Sequence, residues 1–243
     1  MLYILIAMKT LVVLTQYKRN NLEKQLSQIY NQTIRPDYVV VFQNENHEDI
    51  SILKSEYNFI HIKSDYNTKF FGRFAYCFTF PVDICFVLDD DIIPGNNCLK
   101  HYMDQCISLN AIIGGNGRIA MNNPNKGRIK QPPDVGIRLE NQLVDFVGHL
   151  WCFKKDWLYH MFGTKPFTFD TGEDMHFCFT SKLFGNIKSF TAKQTSHDDM
   201  ADITHNKLAG GPHASYVTTP KSLRFDTEKY FMDRFDIKFI ESN

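Results

Sequence analysis

The sequence predicts an α/β protein built on a mostly parallel central sheet flanked by helices. Three observations carry that expectation. Between residues 10 and 88, short apolar runs alternate four times with stretches whose apolar residues recur at helical spacing, the pattern of parallel strands joined by helical crossovers. Hydrophobic residues make up 43% of the chain, with 21 Phe and 11 Tyr, enough for a core covered on both sides of a sheet. The 243 residues suit a single domain with two lobes, a regular half over about 1–95 and a less regular half over about 96–243.

The first run, Thr10 to Thr15, is β-branched, bounded by polar residues, and reads as a buried strand. Leu22, Leu26, Ile29 and Tyr30 then fall at helical spacing, with Asn20 or Asn21 placed to cap that helix. Pro36 and Asp37 reset the chain before a second strand at 38–42. A helix over 48–57, a strand over 59–62, a helical stretch near 73–80 and a strand over 84–88 complete the alternation. In the second half the spacing predicts strands over 111–113 and 144–153 and helices over 155–162 and 173–183. The polar, basic stretch 122–134, punctuated by Pro124, Pro132 and Pro133, reads as an exposed mobile loop. In a sheet of this kind a ligand site lies beyond the carboxyl ends of the strands.

Charge is balanced, 27 Lys plus Arg against 27 Asp plus Glu, which excludes a dedicated nucleic-acid groove with its basic surplus. The balance is not uniform. Residues 81–95 carry Asp83, Asp89, Asp90 and Asp91 with no Lys or Arg, and the last three follow directly on a predicted buried strand. Adjacent carboxylates repel, and a hard divalent cation such as Mn²⁺ or Mg²⁺ relieves that repulsion with their oxygens as ligands; an acidic surface turn is the alternative. A second acidic group, Asp170, Glu173 and Asp174, opens a predicted helix. There Asp170 or Thr171 can cap the helix and the acids complement its dipole, or a carboxylate can act as a base. His197 and His205, among Asp198, Asp199 and Asp202, can complete a metal sphere or serve as polar loop residues. Lys18, Arg19, Lys69 and Arg73 near strand ends, and Lys207 and His213 beside Gly210 and Gly211, suit a diphosphate as a group, although each alone reads as a surface charge. The six Cys show no Cys-x-x-Cys spacing and read as reduced, buried thiols.

Taken in order, these parts resemble a nucleotide-sugar glycosyltransferase of the GT-A (Rossmann-like) fold. The nearest likeness is to the exostosin-type hexosaminyltransferase domain, with family-2-like glycosyltransferases as looser relatives. The likeness is carried by residues 15–19 after the first strand, 41–44 after the second, 71–74 before the fourth, the Asp89-x-Asp91 triplet within 88–93, and Gly172-Glu173-Asp174. It implies Thr15, Tyr17, Arg19 and Asn44 near the nucleobase, Lys69 and Arg73 near ribose or diphosphate, Asp89 and Asp90 near ribose and sugar, and Asp91 on Mn²⁺ or Mg²⁺, with His197 as a further ligand. Asp174, with Glu173 beside it, would face the anomeric carbon or the acceptor hydroxyl, as base in an inverting reaction or as stabilising group in a retaining one. The donor implied is a UDP-sugar and the acceptor a glycan or other hydroxyl. Trp151 and Trp157, with His149, can stack on an acceptor sugar or fill the core. The stretch 197–216 reads as a flap over bound donor.

A nucleotidyltransferase is the nearest enzymatic alternative, but the loop after the first strand, residues 15–20, lacks its glycines. A metal-dependent phosphohydrolase fits the His197-Asp198 pair but not the βα alternation. A non-catalytic carbohydrate- or nucleotide-binding module of the same fold is the alternative from another class. The apolar start of the chain is broken by Lys9, short of the ~20 residues of a membrane span, and lacks the basic start of a signal peptide. The sequence therefore reads as a soluble cytosolic enzyme of bacterial or viral origin, with no transmembrane segment.

Overall fold

The structure is a computed structural model that describes residues 8–45, 48–120, 129–130, 137–210 and 218–240. The proline-punctuated loop expected over 122–134 lies outside these residues except for 129–130. The first half holds β1 (Thr10–Gln16), α1 (Leu22–Tyr30), β2 (Tyr38–Asn44), α2 (Ser51–Glu56), β3 (Ile60–Ser64), α3 (Gly72–Ala75) and β4 (Ile84–Leu88). The second holds α4 (Cys98–Leu109), β5 (Ile112–Ile119), β6 (Ile129–Lys130), β7 (Gln142–Val144), β8 (Phe146–Lys154), α5 (Leu158–Phe162), α6 (Glu173–Gly185), β9 (Ser189–Thr191) and α7 (Lys221–Phe235).

One sheet runs through both halves in the order β3-β2-β1-β4-β8-β5-β9-β7, with β6 on β5. β1 pairs parallel with β2 (Leu14 opposite Val41) and with β4 (Leu14 opposite Leu88), and β2 pairs parallel with β3. β8 runs antiparallel between β4 and β5, and β9 is parallel to β5. The burial explains the sequence pattern. All five residues of β4 and six of the seven in β1 are buried, so neither strand alternates, because both faces are covered. β3, at the edge, has no fully buried residue and pairs on one side only.

The first-half elements stand within a few residues of their expected places, and the second half departs further. The strand expected over 144–153 is two strands, β7 and β8, and the one expected over 111–113 extends to Ile119. The helices expected over 73–80 and 155–162 are each part 3₁₀, at Tyr76–Thr79 and Lys155–Trp157. α4, β9 and α7 were not legible as elements. Asn21 holds the N-cap position of α1, but its side chain makes no capping bond. It donates instead to the Asp90 carbonyl at 3.0 Å.

Aromatic packing ties the helices to the sheet. Phe74 meets Trp151 edge-on at 5.3 Å between ring centroids, and Phe153 meets Phe177 of α6 at 4.9 Å. These contacts bring α3, β8 and α6 together under the ends of β1 and β4, and they bury Trp151 to 1% exposure. Trp157 is 8% exposed at the head of α5 and lies under the Lys154 ammonium. Trp157 belongs to the core, and Trp151, packed in the core as well, also lines the cleft beyond the ends of β1 and β4. All six cysteines are free and buried. Among the described residues, no helix is long and apolar enough to cross a membrane.

Candidate functional site

Because β1, β2 and β4 run in the same direction, their carboxyl ends open on one edge of the sheet. A cleft of about 790 Å³ lies there, between that edge and the start of α6. Thr15, Tyr17 and Arg19 reach it from the end of β1, Asn44 from β2, and Asp89, Asp90 and Asp91 from β4. Lys69 and Arg73 line it from the segment around α3, and Glu173 and Asp174 from α6. The structure thus brings together eleven of the twelve residues expected to bind donor or metal or to act in catalysis. His197 is not among the lining residues. It is exposed, with its ring edge-on to His205 at 5.2 Å.

The acidic turn is built from below. Gln25 of α1, 1% exposed, donates to the carbonyls of Asp89 at 2.8 Å and Ile92 at 2.9 Å. With Asn21 on Asp90, this fixes the backbone after β4 so that three carboxylates face the cleft. Two arginines neutralise them. Arg73 pairs with Asp89 and, at 2.9 Å, with Glu173, while its guanidinium lies 4.8 Å from the Trp151 ring centre. Arg19 pairs with Asp90 and, at 2.9 Å, with Asp91. Burial pushes the Asp90 carboxyl up to about 7, with Asp91 and Asp89 adding to the effect against the pull of Arg19. Burial and Asp89 likewise raise Asp91. Asp89, Asp90, Asp91 and Glu173 thus share two arginines, while Lys18, Lys69, Arg118 and Arg224 line the rest of the cleft.

α6 starts at Gly172, whose φ of +80° suits a residue without Cβ. Neither Asp170 nor Thr171 caps the helix with its side chain, so the capping role open in the sequence is not what places these acids. Glu173 is 6% exposed and bound to Arg73. Burial, then Asp174, hold its carboxyl up at about 7 against Arg73. Asp174 is half-buried; its Oδ1 accepts the Met175 N–H at 2.8 Å, and it forms no ion pair among the described residues. Two adjacent acids therefore stand in different states, one locked in a buried pair and one open to the cleft.

Other expected residues serve the walls. Asn44 accepts from the Thr68 N–H at 2.9 Å and donates to the Lys69 carbonyl at 3.2 Å, shaping the 67–69 turn. The Thr15 hydroxyl is buried and has no hydrogen-bond partner among the described residues. The Tyr17 hydroxyl accepts from Asn67 at 3.3 Å, and exposed Lys69 approaches Asp170 at 3.8 Å. Lys207 is exposed and not among the lining residues, and His213 lies outside the described residues. Of the expected flap, 197–210 is described: Gly95 packs so close to it that a Cβ would meet the His197 carbonyl at 2.3 Å. Sequence reasoning missed Asn67, Asn116 and Arg118, and Leu223 and Arg224 of α7, which also line the cleft, and Gln25, which fastens the acidic turn. Nothing local marks them, since their positions depend on distant segments.

No three His, Cys, Asp or Glu among the described residues form a ready metal cage. The donor set is nevertheless of the kind a hard divalent cation takes, because it is carboxylate oxygen. Mg²⁺-type ions bind through one or two carboxylates plus substrate phosphates, and Asp91, whose Oδ2 is held here by Arg19 at 2.9 Å, is one carboxylate that could hold such an ion.

No protein-family model matches the chain. No curated protein matches it either. Solved structures do: S. aureus TarS is 15% identical with a TM-score of 0.52, covering 79% of this chain and 38% of that one. A TarS fragment spanning 1–349 is 15% identical with a TM-score of 0.51, over 76% and 60% of the two chains. The same fragment in complex with UDP is 14% identical, with a TM-score of 0.52 over 78% and 59%. The chain spans between about two fifths and three fifths of the length of these three structures. This likeness establishes the fold: a mixed α/β GT-A architecture.

Proposed function

We propose that this chain is a divalent-metal-dependent glycosyltransferase, moving a sugar from a nucleoside diphosphate donor to a hydroxyl acceptor such as a glycan. The observation that carries this reading is the pairing of two acidic elements across one cleft, the Asp89–Asp91 turn and the Glu173–Asp174 helix start, with two arginines between them. A UDP-sugar is the favoured donor, since a TarS structure of the same fold holds UDP.

The residues divide the work. Thr15, Tyr17 and Asn44 line the wall for the nucleobase, and the Thr15 hydroxyl, without a partner among the described residues, is a hydrogen-bonding group in reserve. Asp89 and Asp90 face ribose and sugar, and Lys69 stands at the entrance for the diphosphate. Asp91 would hold the divalent cation, which when bound would supply positive charge to the leaving diphosphate. Asp174, open to the cleft and without an ion pair among the described residues, takes the proton of the acceptor hydroxyl as that oxygen attacks the anomeric carbon. Glu173 acts through Arg73: it holds the guanidinium and keeps the Asp89 carboxylate in place.

Thermal unfolding with UDP, GDP, ADP and CDP, each with and without Mn²⁺, tests the binding half of this reading. One diphosphate is expected to raise the midpoint only when Mn²⁺ is present. The absence of any nucleotide response, with either Mn²⁺ or Mg²⁺, would overturn it.

A further inference from the structure

Arg19 holds an unusual position for a residue expected at a nucleobase. One guanidinium nitrogen bonds Asp90 and Asp91 together, the latter at 2.9 Å, and the other reaches the carbonyls of Ala209 and Gly210 at 3.4 and 3.5 Å. The side chains of Asp90 and Asp91 are only 15% and 12% exposed. Buried carboxylates left without a counter-charge cost far more than surface ones, so the empty cleft needs this cation. The left-handed turn at Lys18, φ +59°, carries the chain round between β1 and Arg19.

We propose that Arg19 is a positioning residue that makes divalent-cation binding depend on the donor: its guanidinium holds the place of the metal until a diphosphate gives it another partner. The inference rests on the reading of Asp91 as the metal-bearing carboxylate. The physical argument is one of competition. A cation approaching Asp91 meets a fixed positive charge on the same carboxylate, and repulsion between the two weakens binding. A nucleoside diphosphate changes that balance twice, by adding negative charge and by offering the guanidinium oxygens that it grips well as a planar fork. Metal and nucleotide then bind with positive coupling, and the coupling is reciprocal. In a cleft without Arg19, the carboxylates would attract the metal unaided.

Mn²⁺ binding followed by electron paramagnetic resonance, with and without the nucleoside diphosphate that stabilises the protein, tests this without reference to turnover. The wild-type chain is expected to bind Mn²⁺ weakly alone and at least tenfold more tightly with the nucleotide. Arg19→Ala is expected to bind Mn²⁺ alone at least tenfold more tightly than wild type and to lose most of the nucleotide's enhancement. Arg19→Lys, which keeps the charge but not the fork, should fall between them. If wild type shows nucleotide-linked Mn²⁺ binding while Arg19→Ala and Arg19→Lys gain no affinity for Mn²⁺ alone, the competition is overturned and the metal site stands. If none of the three binds Mn²⁺ with any nucleotide, both the competition and the metal-dependent reading fail. Circular dichroism on each variant shows that the fold is kept; should Arg19→Ala unfold, Arg19→Lys decides alone, and an affinity equal to wild type overturns the proposal.

Discussion

Glu173 and Asp174 are neighbours in sequence and differ in everything that decides chemistry. Glu173 is buried against Arg73, whereas Asp174 is half-buried and faces the cleft. Asp174→Asn is therefore expected to keep nucleotide binding and to lower transfer by about 10²- to 10⁴-fold, the range for loss of a general base; titration with the nucleotide alongside a turnover assay checks both halves. Arg73→Ala leaves Asp89 and Glu173 facing each other unpaired. Breaking a buried pair costs about 3–5 kcal/mol, so a urea melt should show the variant as severely destabilised. The acids were legible in the sequence because three carboxylates followed a strand that had to be buried. Gln25 was not, and Asn21 was legible only as a helix cap. A glutamine on the buried stripe of α1 looks like a flaw in an amphipathic pattern until the turn it fastens, more than 60 residues away, is known.

At the scale of elements, the start of α6 and the turn at 197–199 make separate predictions. Gly172 occupies the left-handed region, and a Cβ there would stand 3.1 Å from the Met175 methyl and 3.2 Å from the Thr227 hydroxyl. Gly172→Ala should cost about 1–2 kcal/mol, the penalty of that conformation for a residue with Cβ, seen as a lower midpoint in urea. In the turn, burial works against the Asp199 charge, but the Thr195 hydroxyl, the Asn97 amide and the Thr195 N–H hold its carboxyl down at about 2, from an ordinary 3.8. A depressed carboxyl stabilises the fold above its unfolded value and loses that contribution as pH falls toward 2, about 2 kcal/mol in all. Asp199→Asn should therefore be less stable than wild type at pH 6, with the gap closing between pH 4 and 2 in a pH series of thermal melts. β1, β2 and β4 were readable because strands buried on both faces appear as unbroken apolar runs. α4 was missed although Cys98, Leu99, Tyr102 and Cys106 form its buried stripe, because cysteine and tyrosine dilute the apolar signal. β9, three residues long, is too short for any period to show.

For the molecule as a whole, the decisive feature is the change of direction at β8. Six of the nine described strands run the same way, and β8 runs against them between β4 and β5. That reversal brings His149 and Trp151 alongside the acidic turn, and the packing of Trp151 and Phe153 on Phe74 and Phe177 holds α6 across from it. A cleft between the parallel half and the irregular half follows, with acids from both. The even balance of 27 positive against 27 negative residues conceals this concentration, since a nucleoside diphosphate requires only a few charges in the right place. We propose that this cleft transfers a sugar from a nucleoside diphosphate, and the decisive measurement is release of the nucleoside diphosphate from a panel of nucleotide sugars, with Mn²⁺, by wild type and by Asp174→Asn. The expected result is one donor cleaved by wild type, with the rate reduced at least a hundredfold in Asp174→Asn at unchanged donor affinity. Binding of a donor without cleavage of any, or equal cleavage by both proteins, would contradict it.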